Sequence, residues 1–414
     1  MKVYEKIYEY YLDKMKEGSL KKGDKIPSLR ETERILDVSR TSVETAYLQL
    51  AADGYIYSVE KVGFFASDMA ERVNSGIKSS EAGKGEALPS RERETLSKYD
   101  LTTIAEDKQV SCLNLWRRYM KSALRQEDRL LSYSENQGEA DLRAEIAAYV
   151  RKSRNIICSP REVVIGAGFQ NLLQVLIPLI SGEKTVSFPT REFSDGATTF
   201  LNAGFQVSYR DKSCNVIYVT PSYMTKWGDV MTMKRRHELI AHAQNNGHLI
   251  IEDDYQNELV FSSKPTPSLY AMTGGENVAF LGSFSRVLLP SVRISYLILP
   301  QKTAEEYGKI KDFYNQTASK AEQIALAQFL RDGHMNRHIK KMKRLYEEKK
   351  QIAIEALKEN FTPDRVLVGE SGMEIGLRYD DDTTKLLTFS RIPVEDIKDA
   401  VESFALTMKQ SPRL

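Results

Sequence analysis

Cysteine is scarce in the 414-residue sequence, with only Cys112, Cys158 and Cys214. Their odd number and wide spacing exclude a disulfide framework or zinc ribbon and fit a reducing compartment. Excess charge of one sign is also missing: 59 Lys+Arg against 57 Asp+Glu leave a net of +2. Net charge alone therefore does not announce a nucleic-acid partner. Longer apolar stretches such as Leu172–Ile180 are interrupted, here by Gln174 and Pro178, and reach about half of a membrane span. The opening MKVYEKIYEYYLDKMKEG has frequent charges and no apolar signal-peptide core. These absences predict a soluble, cytoplasmic protein with no membrane partner. The five histidines show no ligand spacing, so neither a metal site nor a histidine base is expected.

What is present is globular material, 41% hydrophobic and 28% charged, at a length that predicts about two to three domains. Residues 1–67 read as three short helices and a β-hairpin. Residues 68–95 are polar and Gly/Ser-rich and read as a linker. From 96 to 414, helical patterns alternate with β-branched runs at Val163–Ile165, Thr185–Phe188, Val216–Thr220, His248–Glu252, Val278–Leu281 and Ser295–Leu299. That alternation predicts an α/β domain with a mostly parallel sheet.

In the N-terminal segment, Val3, Ile7, Tyr11 and Met15 share one helical face. Ser28 and Glu31 form an S-x-x-E capping box for a second helix, and Thr41 and Glu44 suggest another for a third. Val43, Ala46, Tyr47 and Leu50 give that third helix its core stripe. Two short helices, a tight turn and an Arg-bearing helix start describe a helix-turn-helix. The run Gly54–Phe65, with Lys61 and Gly63 at its tip, reads as a wing. Charge does not identify a DNA reader, since residues 1–67 hold 11 Lys+Arg and 11 Asp+Glu.

The ordered set I-P-S-L-R-E, V-S-R-T-S-V-x-x-A-Y-x-x-L and G-Y-I-x-S resembles the winged helix of the GntR superfamily. The resemblance implies DNA contacts at Arg30, Ser39, Arg40, Thr41, Ser42, Lys61 and Gly63. Ser39 serves equally well as a helix cap alone.

Three segments carry a second resemblance: Val163-Val-Ile-Gly-Ala-Gly-Phe, His248-Leu-Ile-Ile-Glu-Asp-Asp-Tyr255, and Phe280-Leu-Gly-Ser-Phe-Ser-Arg286 continuing to Arg293. The first is a strand running through a glycine turn into a helix, whose free N–H groups suit an anion. Together they resemble fold-type I pyridoxal-phosphate enzymes. They resemble still more the aminotransferase-like domain of MocR/GabR-type regulators, which are winged helices fused to that domain. The resemblance implies a phosphate shell of Ser283, Ser285 and Arg293 with the backbone of Ala167, Gly168 and Phe169. It implies Asp253 at the pyridine nitrogen and Tyr255 at the ring hydroxyl. It also implies a homodimer on operator DNA, with two half-sites as a direct repeat or palindrome, and a small anionic effector.

The residue after Ser285 should be the lysine that bonds the cofactor, and it is Arg286. A guanidinium stays protonated and offers no amine lone pair. No catalytic residue is therefore assigned, and any pyridoxal phosphate is expected to bind non-covalently. Other departures agree. Only Gly228 survives of the segment expected after Ser222, and residues 361–414 read as a truncated small lobe in which no arginine matches the expected carboxylate clamp, Arg378 and Arg391 reading as solvated surface residues. Three readings stay open: a regulator with a ligand-sensing domain whose signal crosses the 68–95 linker, one whose large domain only dimerises, and a working aminotransferase, which Arg286 opposes.

Overall fold

The computed structural model describes residues 2–59, 62–67, 99–102, 107, 109–191, 193–261, 266–379 and 383–410. The chain divides into two compact units, Met1–Thr95 and Leu96–Leu414. Lys61 and the expected linker at 68–95 lie outside the described residues.

The first unit contains α1 (Val3–Lys16), β1 (Lys25–Ile26), α2 (Leu29–Leu36), α3 (Arg40–Ala52), β2 (Ile56–Val59) and β3 (Gly63–Ala66). Its core gathers Ile7, Tyr11 and Met15 from α1 with Val43, Ala46, Tyr47 and Leu50 from α3. Val3, expected on the same stripe, is exposed. A chain of hydroxyls runs through this core. Thr32 Oγ1 is hydrogen-bonded to Tyr11 Oη at 2.7 Å and to Tyr47 Oη at 2.8 Å, and Tyr47 donates to Pro27 O at 2.7 Å. One threonine on α2 thereby ties all three helices. β2 and β3 form the hairpin of the wing, and β1 pairs with β3.

The second unit begins with α4 (Leu113–Leu124), α5 (Glu127–Leu130) and α6 (Ala140–Arg154). Strands and helices then alternate: β4 (Val163–Gly166), α7 (Phe169–Leu176), β5 (Thr185–Phe188), α8 (Ser194–Asn202), β6 (Gln206–Tyr209) and β7 (Val216–Val219). They continue as α9 (Met233–Asn246), β8 (Leu249–Asp253), α10 (Leu269–Thr273), β9 (Val278–Ser283) and β10 (Ser295–Ile298). The sheet order is β4-β10-β9-β8-β7-β5-β6. Six strands run in one direction, and only β10, antiparallel to both its neighbours, runs against them. The expected six strands are all present. The seventh, β6, is a half-exposed edge strand of mixed polarity (Gln206, Val207, Ser208, Tyr209), which leaves no continuous apolar run to read. Separate apolar clusters cover the two faces of this sheet.

Next come α11 (Gln301–Ile310), α12 (Lys320–Arg331) and the 27-residue α13 (His334–Asn360), whose end packs on β11 (Val366–Leu367), β12 (Glu374–Arg378), β13 (Thr384–Thr388) and α14 (Ile397–Gln410). The small lobe is an antiparallel sheet in the order β11-β12-β13. Two lysines bind it inward. Lys349, fully buried, pairs with Asp107 and donates to Ser390 O, while Lys350 donates to the carbonyls of Gly369, Ser371 and Gly372 at 2.9–3.1 Å. Burial lowers the Lys350 amine to about 8.

Candidate functional site

In the first unit, Ser28 and Glu31 close the expected capping box at the start of α2: Ser28 N donates to Glu31 Oε2 at 2.8 Å, and Glu31 N to Ser28 Oγ. The second box is not formed. Ser39, not Thr41, caps α3, with its Oγ accepting from Ser42 N and lying 2.9 Å from Ser42 Oγ. Glu44 instead accepts from Arg40 Nε at 3.0 Å. The helix begins two residues earlier than the box implied, because a serine immediately before Arg40 can cap it. Arg30, Ser39, Arg40 and Thr41 are exposed, Ser42 is half-buried, and Gly63 sits at the wing with φ +132. The start of α3 therefore presents two hydroxyls engaged with each other and an arginine tied to an acid.

In the second unit, the alternation of β8 separates its acids. Asp253 faces a cavity of about 330 Å³. Glu252 and Asp254 face a buried polar network on the other side. There Glu252 accepts from the N–H groups of Leu269 and Tyr270, and Asp254 pairs with Arg154 at 2.6 Å and accepts from Ser222. Arg236, fully buried, donates to the carbonyls of Met231, Pro267 and Pro221. This network anchors the strand end that aims Asp253.

Of the nine residues expected around a cofactor, Gly168, Phe169, Asp253, Tyr255, Ser283, Ser285, Arg286 and Arg293 all line this one cavity. Ala167 does not: its N–H donates to Thr317 Oγ1 at 3.0 Å, which turns it away. Gly168 has φ +97, and a Cβ there would lie 2.8 Å from Arg293 Nη2. The turn needs glycine on both counts, conformation and the approach of the guanidinium. Ser283 Oγ accepts from Ser285 N at 3.3 Å and from Ser295 Oγ at 3.0 Å, and Ser285 Oγ donates to Val292 O. Arg293, Gly168 and the serine hydroxyls make one polar end of the cavity.

Tyr218 donates to Asp253 Oδ2 at 2.5 Å. Burial nonetheless pushes the Asp253 carboxyl up to about 7. Burial also raises Tyr255, to about 12. Phe169 and Phe193 form an apolar wall, with ring centroids 5.5 Å apart.

The other polar end carries Arg286, whose Nη2 donates to Glu374 Oε1 at 2.7 Å. Glu374, from β12, is buried. It is joined by Tyr346 and Ser390. Neither Glu374 nor Ser390 was legible beforehand as a cavity residue. An isolated acid 88 positions from Arg286 carries no local signal. Among the described residues no lysine lines the cavity, and no group of His, Cys, Asp or Glu could hold a metal. Arg378 and Arg391 are exposed and absent from its lining. Among the described residues no helix is long and apolar enough to cross a membrane.

Residues 3–66 match the model of bacterial regulatory proteins of the gntR family, and residues 204–375 that of aminotransferase class I and II. The HTH-type transcriptional regulator YdeL of Bacillus subtilis (strain 168) is 33% identical over 393 residues, covering 90% of this chain and 83% of that one. The probable rhizopine catabolism regulatory protein MocR of Rhizobium meliloti is 26% identical, covering 91% and 82%. Among solved structures, an archaeal alanine:glyoxylate aminotransferase superposes with a TM-score of 0.68 at 19% identity, covering 89% of this chain and 99% of that one. That likeness defines the fold. The class is thus a helix-turn-helix head joined to a fold-type I aminotransferase domain. Within it, the chain belongs to the GntR-type transcriptional regulators of the MocR kind, and it is a DNA-binding transcription regulator.

Proposed function

We propose that this regulator senses a small anionic ligand, pyridoxal phosphate or a close analogue, held non-covalently in the 330 Å³ cavity, and that it does not transaminate. The observation that carries the reading is the union of an anion-binding end, built on Arg293 and the Gly168 turn, with an arginine at the position of the expected lysine. Arg293, the Gly168 turn and the hydroxyl of Ser283, which Ser295 orients by donating to it, supply donors for a phosphate. Asp253 suits a protonated ring nitrogen, because burial pushes its carboxyl up to about 7 and a facing cation would restore the charged form. Tyr255 suits a ring hydroxyl, and Phe169 and Phe193 a ring face. The cofactor, when bound, supplies an electron sink. Arg286 withholds the nucleophilic amine needed to tether it. Binding and orientation then remain as what the site's own residues do.

In the head, Arg30, Arg40, Thr41 and the Ser39–Ser42 cap are the proposed DNA contacts. Lys61 and Gly63 would serve the wing. The protein is inferred to act as a cytoplasmic homodimer. Leu131, Tyr133 and Phe313 are 87%, 102% and 86% exposed. Asn136 donates to Asp312 at 3.4 Å, so the two segments that carry these side chains meet, and exposed aromatic and aliphatic groups of this kind suit contact with a second copy. A dimer presents two heads, hence two half-sites in the operator.

Titration with pyridoxal phosphate, followed by absorbance, dialysis and borohydride, tests the reading. A spectral change that dialysis reverses supports it. A borohydride-stable adduct on a lysine would falsify the non-covalent assignment, and no binding would leave dimerisation as the domain's task. A gel shift with the protein's own upstream DNA, with and without ligand, tests whether occupancy reaches the heads.

A further inference from the structure

The large unit carries a concentration of charge that the cavity does not use. Helix α4, LNLWRRYMKSAL, holds three cations and no acid. The stretch His334–Tyr346 of α13, HMNRHIKKMKRLY, holds five cations and no acid. In a chain whose net charge is +2, that is a local excess. Two contacts bring the helices together. Lys341 donates to the carbonyl of Gln109, just ahead of α4, and the ring of Tyr119 on α4 sits 5.5 Å from that of His334. There Arg118 lies over Tyr119, and Arg337 donates to His334 Nδ1 at 2.9 Å. Arg117, Arg118, Lys121, Arg337, Lys340 and Lys341 are all exposed. Nearby acids are engaged: Asp332 accepts from Tyr119, and Glu145 pairs with Arg331 at 2.9 Å. Glu347 and Glu348, further along α13, end the patch. The first turn of α13 also lacks the acid that a helix dipole favours.

We propose that this α4–α13 surface is a second DNA contact, which binds the phosphate backbone of a duplex without reading its bases. Cations of this kind position a protein on DNA and carry no sequence information. The head needs such help. Its 11 Lys+Arg and 11 Asp+Glu cancel, so it lacks the positive excess from which non-specific affinity comes. A surface on the same chain meets the duplex as a tethered partner, and a modest intrinsic affinity then suffices. The occupant is a duplex rather than the same face of a second copy, because a two-fold contact there would set like charges against each other. The contact is independent of what the cavity holds.

The test uses the full chain and a long duplex of arbitrary sequence, with affinity followed by fluorescence anisotropy over a salt series. Arg117→Gln, Lys121→Gln and Lys340→Gln together should weaken binding about tenfold or more at low salt. They should also flatten the slope of log K against log [salt] by about 2 to 3. The charge-keeping triple Arg117→Lys, Lys121→Arg and Lys340→Arg should retain both affinity and slope. Lys234→Gln, Lys302→Gln and Lys309→Gln, three exposed lysines elsewhere on the large unit, should leave the slope near that of the unmodified protein. Unchanged affinity and slope in the first triple overturn the proposal, as does failure of the unmodified protein to bind the arbitrary duplex. An equal loss in the Lys234 triple overturns it too, by assigning the effect to overall charge. A changed oligomeric state of the first triple in sedimentation would place a second copy on this face instead of DNA.

Discussion

The two units present their candidate contact residues in opposite ways. In the head they cluster on a few turns of chain and face solvent, Arg30, Ser39, Arg40 and Thr41 all being exposed. In the large unit they arrive from segments between Gly168 and Ser390 and enclose a cavity. The head's cations balance its acids, and Arg40 even spends part of its charge on Glu44. On the proposed reading, its recognition rests on a few side chains at one helix start. The cavity has buffered contacts instead, with two cations, Arg286 and Arg293, and two carboxylates, Asp253 and Glu374, in one lining. A surface reader is open to single substitutions, whereas an enclosed site is sensitive to anything that shifts its walls.

The largest effect is expected in the head. Replacing Arg30 and Arg40 together by alanine should raise the operator Kd by about 10- to 100-fold, measured by gel shift, while cavity ligand affinity stays unchanged. Loss of both activities would mean that the two units are less separable than this contrast holds.

Gly168→Ala comes next. The added Cβ meets Arg293 Nη2 at 2.8 Å in a backbone of φ +97, so affinity for a phosphate-bearing ligand should fall by about tenfold or more. Calorimetry reads this directly, and DNA binding without ligand should be spared.

The third prediction concerns pH. Burial raises Asp253, Glu252 and Glu258 to about 7 each. Neighbouring Asp254 adds to the rise in all three, whereas Arg154 opposes it at Glu252 and Glu258. The folded chain thus retains protons that the unfolded chain has released by about pH 4 to 5. Stability should decline as pH rises from there to about 7 and stay low above it. Thermal melting without ligand should give a lower Tm at pH 8 than at pH 6. Asp253→Asn should remove part of that drop, and a Tm that rises over this interval would contradict the assignment.

The smallest effect returns to the head. Thr32→Val removes the hydroxyl shared by Tyr11 and Tyr47. It should cost about 1–2 kcal/mol in denaturant unfolding of the head, with the large unit's transition unmoved.

The same contrast governs how much was legible beforehand. The head was readable because its signals are local: a capping box at Ser28 and Glu31, a core stripe on α3, a hairpin. Even so, the start of α3 was misplaced, since Ser39 and Thr41 offer equivalent caps and only the chain's path chooses between them. In the large unit the strand runs and the motif residues around Gly168, Asp253 and Arg286 were visible. Ala167 was assigned with them by adjacency, but its N–H faces Thr317. Phe193, Glu374 and Ser390 were missed because each is brought to the cavity by tertiary structure, with no spacing that marks it, while Tyr346 ends the recognisable run Gly333-His-x-x-Arg337-His338-x-x-x-Met342-x-x-x-Tyr346 without its place in the cavity being legible. The edge strand β6 was missed for want of an apolar run.

Gly228 is the one residue retained from a segment otherwise departed from its expected pattern. It has φ +94, and a Cβ there would sit 1.8 Å from Ser371 O. A backbone crossing, with Ser371 N donating to Gly228 O and Gly369 N to Trp227 O, holds the small lobe against the large one. In a saturation library, position 228 should therefore tolerate no replacement even in variants that have lost every ligand contact. A glycine in a motif can thus be required because two stretches of chain must pass there, whatever chemistry the rest of the motif serves.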